Sequence, residues 1–112
     1  MIETSQRPHW LKVDIQAIGV EMNPYMHRKI ELMTRKLKKL LPDAASLDFY
    51  LRHDTKGPVP LRNITVRFGV PGQDLVASDT GPRWKTVLKN VEKKLLSQLE
   101  KRKLLARNLA KA

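Results

Sequence analysis

Apolar residues recur at two different spacings along this chain, and the order of those spacings restricts the possible fold more than any other feature. In the segment LKVDIQAI, residues 11–18, every second residue is apolar, as in a strand with one buried face. The same alternation occurs in LDFYLRH at 47–53 and in NITVRFGV at 63–70. The turn sequence PGQD at 71–74 then precedes a short apolar segment at 75–78. These patterns predict four strands.

Two other segments carry apolar residues at intervals of three or four, which is typical of a helix packed along one side. The first predicted helix spans residues 24–41, with Asn23 as its N-cap and Pro24 at the first helical position. The second is predicted to begin in the segment 79–82, whose Asp, Thr and Pro are typical of a helix start. Its apolar side comprises Trp84, Val87, Leu88, Val91, Leu95 and Leu99.

The resulting order, β-α-β-β-β-α, predicts an α+β fold. Each strand has one apolar face and each helix has one apolar stripe, so we expect a four-stranded sheet with two helices packed on one face. A chain of 112 residues forms one domain with a single core. We expect residues 11–105 to form this domain, residues 1–10 to be a flexible N-terminal extension and residues 106–112 to be a basic C-terminal tail.

Positive charge is concentrated in the two predicted helices. The whole chain has 22 Lys and Arg against 11 Asp and Glu, a net charge of +11. The first predicted helix has six Lys or Arg against one Glu, and residues 83–107 have nine against two. The strands, loops and N-terminus together carry a small negative charge. Because the apolar stripes face the core, the basic residues of both helices should form one outward-facing surface.

A basic surface of this size favours a polyanionic partner, RNA or DNA. Lysines along a groove between two helices suit a phosphodiester backbone, because they replace and release its counterions. Few aromatic residues remain for base stacking, so recognition of backbone and shape is favoured over sequence reading. A membrane-surface helix would need an exposed apolar face, and the core requires these stripes. A basic surface without a ligand remains an alternative.

Residues for catalysis or metal binding are missing from the sequence. Cysteine is absent, which excludes disulfides and Cys-ligated metals and favours an intracellular protein. The three histidines, His9, His27 and His53, lack metal-ligand spacing, and no phosphate-binding glycine loop or nucleophile motif occurs. No segment has the apolar length of a signal-peptide core or a membrane span. We therefore expect a cytoplasmic protein that is not an enzyme, with no catalytic residue, metal, cofactor, small-molecule substrate or membrane partner.

The segments GQDLVAS at 72–78, KLLSQLEKRK at 94–103 and RKLKKL at 35–40 follow the patterns of a known family. They resemble the ribosome hibernation-promoting factor family, which includes ribosome-associated inhibitor A. That family has the same order of elements, a Gly-x-x-Leu/Ile-x-Ala turn associated with its third and fourth strands, and a second helix that ends in Lys-Leu-x-x-Gln-Leu-x-Lys-x-Lys. The resemblance covers about residues 11–105.

The family binds the small ribosomal subunit in the channel that mRNA and tRNA normally occupy, and it keeps idle ribosomes from translating. The resemblance therefore implies a translation inhibitor that contacts ribosomal RNA of the small subunit through its two helices. It implies this role for Lys36, Lys39, Lys94, Lys101 and Lys103. The charge pattern of the helices extends the predicted RNA-binding set, which then comprises Arg28, Arg35, Lys36, Lys39, Arg83, Lys85, Lys89, Lys94, Lys101 and Lys103.

The start of the second helix departs from the family. There Arg83, Lys85 and Lys89 stand where the family usually has Asp, Tyr and Asp, which makes this helix more basic. Two alternatives remain open. One is a general binder of structured RNA or a ribosome assembly factor that uses the same surface. The other is a protein-interaction module that regulates transcription. We expect the chain to be a monomer.

Overall fold

The structure of the chain, a computed structural model, describes residues 11–111. The predicted N-terminal extension, residues 1–10, lies outside the described residues. The predicted order of elements is confirmed. The elements are β1 (Lys12–Ile18), α1 (Pro24–Leu40), β2 (Ser46–Asp54), β3 (Leu61–Gly69), β4 (Leu75–Gly81) and α2 (Trp84–Lys111).

The four strands form one mixed sheet in the order β1-β2-β3-β4. β1 pairs with β2 in parallel, and the other two pairs are antiparallel. Parallel neighbours need a crossover connection, which α1 supplies between β1 and β2. The antiparallel strands follow one another through short connections. This order makes β1 and β4 the two edge strands.

One apolar face of the sheet meets both helices. Phe49 of β2 and Val66 of β3 are fully buried on this face, together with Met26 of α1 and Leu95 of α2. These side chains belong to one cluster, so both helices pack on the same face, as predicted. Burial of one such side chain contributes about 2 kcal/mol. The predicted apolar side of α2 is confirmed, with Val87, Leu88, Val91, Leu95 and Leu99 buried and Trp84 half-buried.

α1 begins and ends at residues with clear hydrogen-bond roles. The Asn23 side chain accepts a hydrogen bond from the Met26 amide at 2.8 Å, and the following proline occupies the first helical position. At the other end, the buried Lys38 ammonium donates to the Ala44 carbonyl at 3.0 Å and to the Pro42 carbonyl. These bonds fasten the C-terminal turn of α1 to the segment that leads into β2.

The predicted start of the second helix, in the segment 79–82, is wrong, because β4 extends as far as Gly81. Asp79 pairs with Ile64 and Thr80 pairs with Asn63 in the antiparallel ladder with β3. Asp and Thr are common at helix starts, but here strand pairing decides their conformation. The helix begins at Trp84. Its backbone then stays helical through residues 106–111, which the sequence pattern predicted as a tail.

Replacing Asn23 with alanine should lower the free energy of unfolding by about 1 kcal/mol, because the Met26 amide loses its side-chain acceptor. Asn23→Asp keeps an acceptor oxygen and serves as the matched control. Urea unfolding followed by far-UV circular dichroism measures both variants. Equal stability of Asn23→Ala and the wild type would show that this bond does not stabilise α1.

Candidate nucleic-acid interface

α1 and α2 lie on the same face of the sheet, and one ion pair shows which of their sides face each other. The Lys29 ammonium lies 3.8 Å from the Glu92 carboxylate, and 31% and 16% of these side chains are exposed. Residues three or four apart are neighbours on a helix surface. The helix sides that contain Lys29 and Glu92 therefore border the groove between α1 and α2.

Three predicted RNA-binding residues of α2 lie on this inner flank. Lys85 and Lys89 precede Glu92 by seven and three residues, which places them on the same side of the helix. Lys103 follows Glu92 by eleven residues, about three turns, and continues the flank. All three lysines are exposed. They form a basic row beside the inter-helix groove.

The four predicted residues of α1 fall into two groups. Lys36 is exposed and follows Lys29 by seven residues, so it lies on the side that faces α2. Arg28, Arg35 and Lys39 are also exposed, but they line a second groove, between α1 and β1. The structure therefore brings Lys36 together with the inner flank of α2 and places the other three near the edge of the sheet.

The helix layer carries the excess of positive charge. α1 has six Lys or Arg against one Glu, and α2 has nine against two. The four strands together have four basic and four acidic residues. The outward-facing side of the helix layer is consequently basic, whereas the sheet is balanced in charge.

A second polar flank of α2 faces the edge of the sheet. Lys94 Nζ donates to the Ser78 carbonyl at 2.7 Å. One turn later, Gln98 Nε2 donates to the Val76 carbonyl at 2.8 Å. Both carbonyls belong to β4, and within residues 11–111 no strand pairs with the outer edge of β4. The side chains of α2 therefore cover backbone groups of an edge strand.

Arg102 extends this flank to the turn between β3 and β4. Its guanidinium donates to the Gln73 carbonyl at 2.9 Å and to the Pro71 carbonyl. Gly72, between them, has a φ of +92°, and a Cβ at that position would lie 2.9 Å from an Arg102 guanidinium nitrogen. Both the backbone conformation and the close approach favour glycine there.

The sequence pattern did not reveal that Lys94 is engaged within the protein. Arg83 and Lys101, the remaining predicted residues, are exposed. Charge reversal at Lys94 would place a carboxylate beside Asp79, so such a change would disturb the fold as well as any RNA contact. The signal that could have identified this flank is a polar stripe at intervals of four beside the apolar stripe, formed by Asn90, Lys94, Gln98 and Arg102.

Asp79 joins β4 to the same flank. The Asn90 amide donates to Asp79 Oδ2 at 3.0 Å, and the Lys94 ammonium lies 3.4 Å from Asp79 Oδ1. The Asn90 hydrogen bond is the main cause that holds the pKa of Asp79 below its ordinary value, and Lys94 lowers it further by a hydrogen bond and by its charge. Desolvation acts in the opposite direction and is outweighed. The ionised carboxylate thus fastens α2 to the sheet edge.

Residues 11–111 contain no group of three or more His, Cys, Asp or Glu that could hold a metal ion. No helix in that range is both long and apolar enough to cross a membrane. The arrangement that these residues do form is a basic surface of two helices, which can neutralise the phosphates of a nucleic acid.

Comparison with known proteins identifies the fold. Neither a protein-family model nor a curated protein matches the sequence. A ribosomal subunit interface protein from Coxiella burnetii matches with a TM-score of 0.62 and 18% identity, over 84% of this chain and 97% of that one. The N-terminal domain of Thermus thermophilus Protein Y matches with a TM-score of 0.65 and 11% identity, over 79% of this chain and 93% of that one. This chain shares their fold. At the level of the fold, the likeness confirms the resemblance to the hibernation-promoting factor family.

Removing either partner of Asp79 should raise the pKa of its carboxyl toward the ordinary value. We expect this for Asn90→Ala and for Lys94→Met, since both side chains favour the ionised form. A carbon-13 NMR titration of the Asp79 carboxyl measures the change. Lys93→Met removes an exposed cation from the same helix and is the matched control. An Asp79 pKa that is the same in all these variants would contradict the assignment.

At acid pH, the free energy of unfolding should depend on whether the Asp79 carboxyl is ionised. Its pKa is lower in the folded state, so its contribution is present above the unfolded-state pKa of about 3.9 and is lost as the pH falls through the folded-state value. Asp79→Asn should therefore flatten the acid side of the stability–pH curve. Urea unfolding over that pH range measures the effect. Asp43→Asn, at an exposed position after α1, is the control and should leave the acid side of the curve steeper than Asp79→Asn does.

Proposed function

We propose that this protein binds ribosomal RNA of the small subunit through its basic two-helix surface and inhibits translation by occupying the channel for mRNA and tRNA. The observation that carries the proposal is the separation of charge between the two layers of the fold. The helices hold the whole excess of Lys and Arg, and the strands hold equal numbers of basic and acidic residues. A phosphodiester backbone would therefore meet the helix layer, and release of its counterions would favour binding.

The fold supports the same role. One protein of this fold is a ribosomal subunit interface protein, and the matched region covers 97% of that chain. Because one fold can serve many functions, the proposal rests on the fold and the charge together. Association with ribosomes would place the protein in the cytoplasm.

We assign the RNA contacts first to the exposed lysines beside the inter-helix groove. These are Lys36 of α1 and Lys85, Lys89 and Lys103 of α2. Arg83 and Lys101 are exposed and extend the basic surface along α2. Lys94 contributes positive potential from its position against β4. A single copy presents the whole surface, so a monomer suffices.

The mechanism is steric exclusion. A folded domain that is anchored by phosphate contacts prevents mRNA and tRNA from entering the same channel. This mechanism needs no bond-making step and no cofactor. The affinity of the domain for RNA depends on ionic strength, because the contacts are electrostatic.

Sedimentation of a cell extract through a sucrose gradient tests ribosome association. Migration of the protein with small subunits and whole ribosomes supports the proposal. Its confinement to the top of the gradient at low salt would contradict it. Equal affinity of the purified protein for small subunits and for unrelated structured RNA would favour the general RNA-binding alternative.

Reversing two charges on the helix surface, with Lys36→Glu and Lys89→Glu together, should weaken binding to small subunits. The slope of log affinity against log salt is negative, and its magnitude should decrease by about 2, because each lysine no longer displaces a counterion. Titration with purified small subunits over a series of salt concentrations measures the slope.

The matched control is Lys12→Glu with Arg52→Glu, which makes the same charge change at exposed positions of β1 and β2, on the open face of the sheet. This variant should retain a steeper slope than the helix variant. An equal loss of affinity in both would show that net charge governs binding, and not the helix surface.

A further inference from the structure

The two edges of the sheet differ in how they are covered. At the β4 edge, Lys94, Gln98 and Arg102 of α2 donate hydrogen bonds to carbonyls in and beside the strand. At the opposite edge, no strand within residues 11–111 pairs with the outer side of β1. Unpaired backbone groups on an edge strand form a template for a further strand. Among residues 11–111, the outer edge of β1 is therefore unpaired.

One hydrogen bond shows which backbone groups of β1 are available. The Lys12 amide donates to the Ala45 carbonyl at 2.9 Å, so Lys12 directs its backbone groups toward β2. Alternate residues of a strand direct their N–H and C=O groups to opposite sides. Val13, Ile15 and Ala17 therefore direct theirs to the outer edge. The backbone of an extended peptide can form hydrogen bonds with these outward N–H and C=O groups.

A groove of about 810 Å³ lies beside this edge, between β1 and α1. Its sheet side is apolar, with Leu11, Val13 and Ile15, and Ile30 of α1 continues the apolar lining. Val13 and Ile15 remain partly exposed, whereas the core-facing Phe49 of β2 is completely buried. Apolar surface is thus left beside the free edge, where side chains of an added strand could cover it.

The α1 side of the groove is basic. Arg28, Arg35 and Lys39 line it and are exposed. Glu31 also lines the groove, and its carboxylate lies 3.5 Å from the Arg35 guanidinium, so one arginine already offsets it. Positive charge therefore remains on this side of the groove. An occupant with carboxylates directed toward α1 is favoured.

We propose that this edge and groove bind an extended acidic segment of a partner protein, which joins the sheet as a strand beside β1. Main-chain hydrogen bonds would supply affinity, and alternate side chains would supply specificity. The groove-facing side chains of the segment would place aliphatic groups on Val13 and Ile15 and carboxylates near Arg28 and Arg35. Those arginines are about 10 Å apart along α1. Strand residues four apart are separated by about 13 Å, a difference that long side chains can span.

Two other occupants fit these observations less well. A second copy of the chain would bring together two molecules that each carry a net charge of +11, and the basic side of the groove would face a basic partner. RNA would match the charge of α1. It lacks, however, the alternating N–H and C=O groups that an open strand edge pairs with, and it offers little for the apolar lining.

The probe is a capped seven-residue peptide, the length of β1, with the sequence Thr-Glu-Thr-Leu-Thr-Glu-Thr. The control peptide has lysine in place of both glutamates. Nitrogen-15 NMR spectra of the full chain should show shifts of the Val13, Ile15 and Ala17 amides with the acidic peptide and none with the basic one. Equal binding of the two peptides, or shifts confined to α2, would overturn the proposal.

Two variants test the edge and the charge separately. Ala17→Pro removes an outward amide and should weaken acidic-peptide binding about fivefold. Arg28→Glu with Lys39→Glu should weaken it about tenfold. Unchanged peptide affinity in both variants would overturn the proposal. If Ala17→Pro lowers the melting temperature, the NMR shifts of the wild-type protein test whether the peptide binds at the β1 edge.

The matched variant, Lys85→Glu with Lys89→Glu, makes the same charge change on α2. It should leave peptide binding close to that of the wild type while it weakens binding to small subunits. The two proposals can therefore fail independently. Loss of peptide binding in this variant, equal to that in the α1 variant, would show that the peptide responds to net charge and would overturn the edge site.

Other occupants would give distinct results. Concentration-dependent dimers in the ultracentrifuge that Ala17→Pro abolishes would assign the edge to a second copy. Tighter peptide binding after deletion of residues 1–10 would assign it to the chain's own N-terminal segment. Shifts of the β1 amides on addition of single-stranded RNA, without shifts on addition of the acidic peptide, would assign it to RNA. Each of these results overturns the proposal.

Discussion

The burial of two helices on one face of one sheet is the constraint on which the rest of this structure depends. The strands offer a single apolar face, on which Phe49 and Phe68 are completely buried. Both helices must use that face, so their polar sides point in the same direction. Repulsion between exposed like charges amounts to tenths of a kcal/mol per pair, whereas each buried side chain contributes about 2 kcal/mol. The core therefore outweighs the repulsion, which the Lys29–Glu92 pair also reduces.

α2 serves the fold and the candidate interface with different flanks. The flank that includes Lys94 and Arg102 is bonded to carbonyls at the β4 edge and in the adjoining turn. The flank that includes Lys89 faces α1 and is exposed. Lysines that look equivalent on a helical wheel therefore have different roles, and the neighbour on each side of the helix decides which role each one has.

The two proposed sites adjoin different flanks of α1. Lys36 belongs to the surface beside α2, and Arg28 belongs to the groove beside β1. An RNA on the first surface and a peptide strand on the second would leave α1 between them. The two edges of the sheet therefore differ. Side chains of α2 cover the β4 edge, whereas the β1 edge, which no strand within residues 11–111 covers, can accept a further strand.

Most of the fold could be predicted from the sequence, because apolar spacing reports locally on strands and helices. The strand at Lys12–Ile18 and the Asn23 cap of α1 depend on neighbouring residues, and both were predicted correctly. The end of β4 was not, because Asp79 and Thr80 suit a helix start and a strand equally well, and pairing with β3 decided between them.

The location of the excess charge on the helices was likewise determined by the sequence. Only the tertiary structure decided which basic residues face solvent, which of them border each groove and which are bonded to the sheet edge. A helical pattern specifies the angle between side chains but not the neighbours that surround the helix. Lys94 shows this directly, since its partner Ser78 lies sixteen residues away and meets it only when α2 packs against β4.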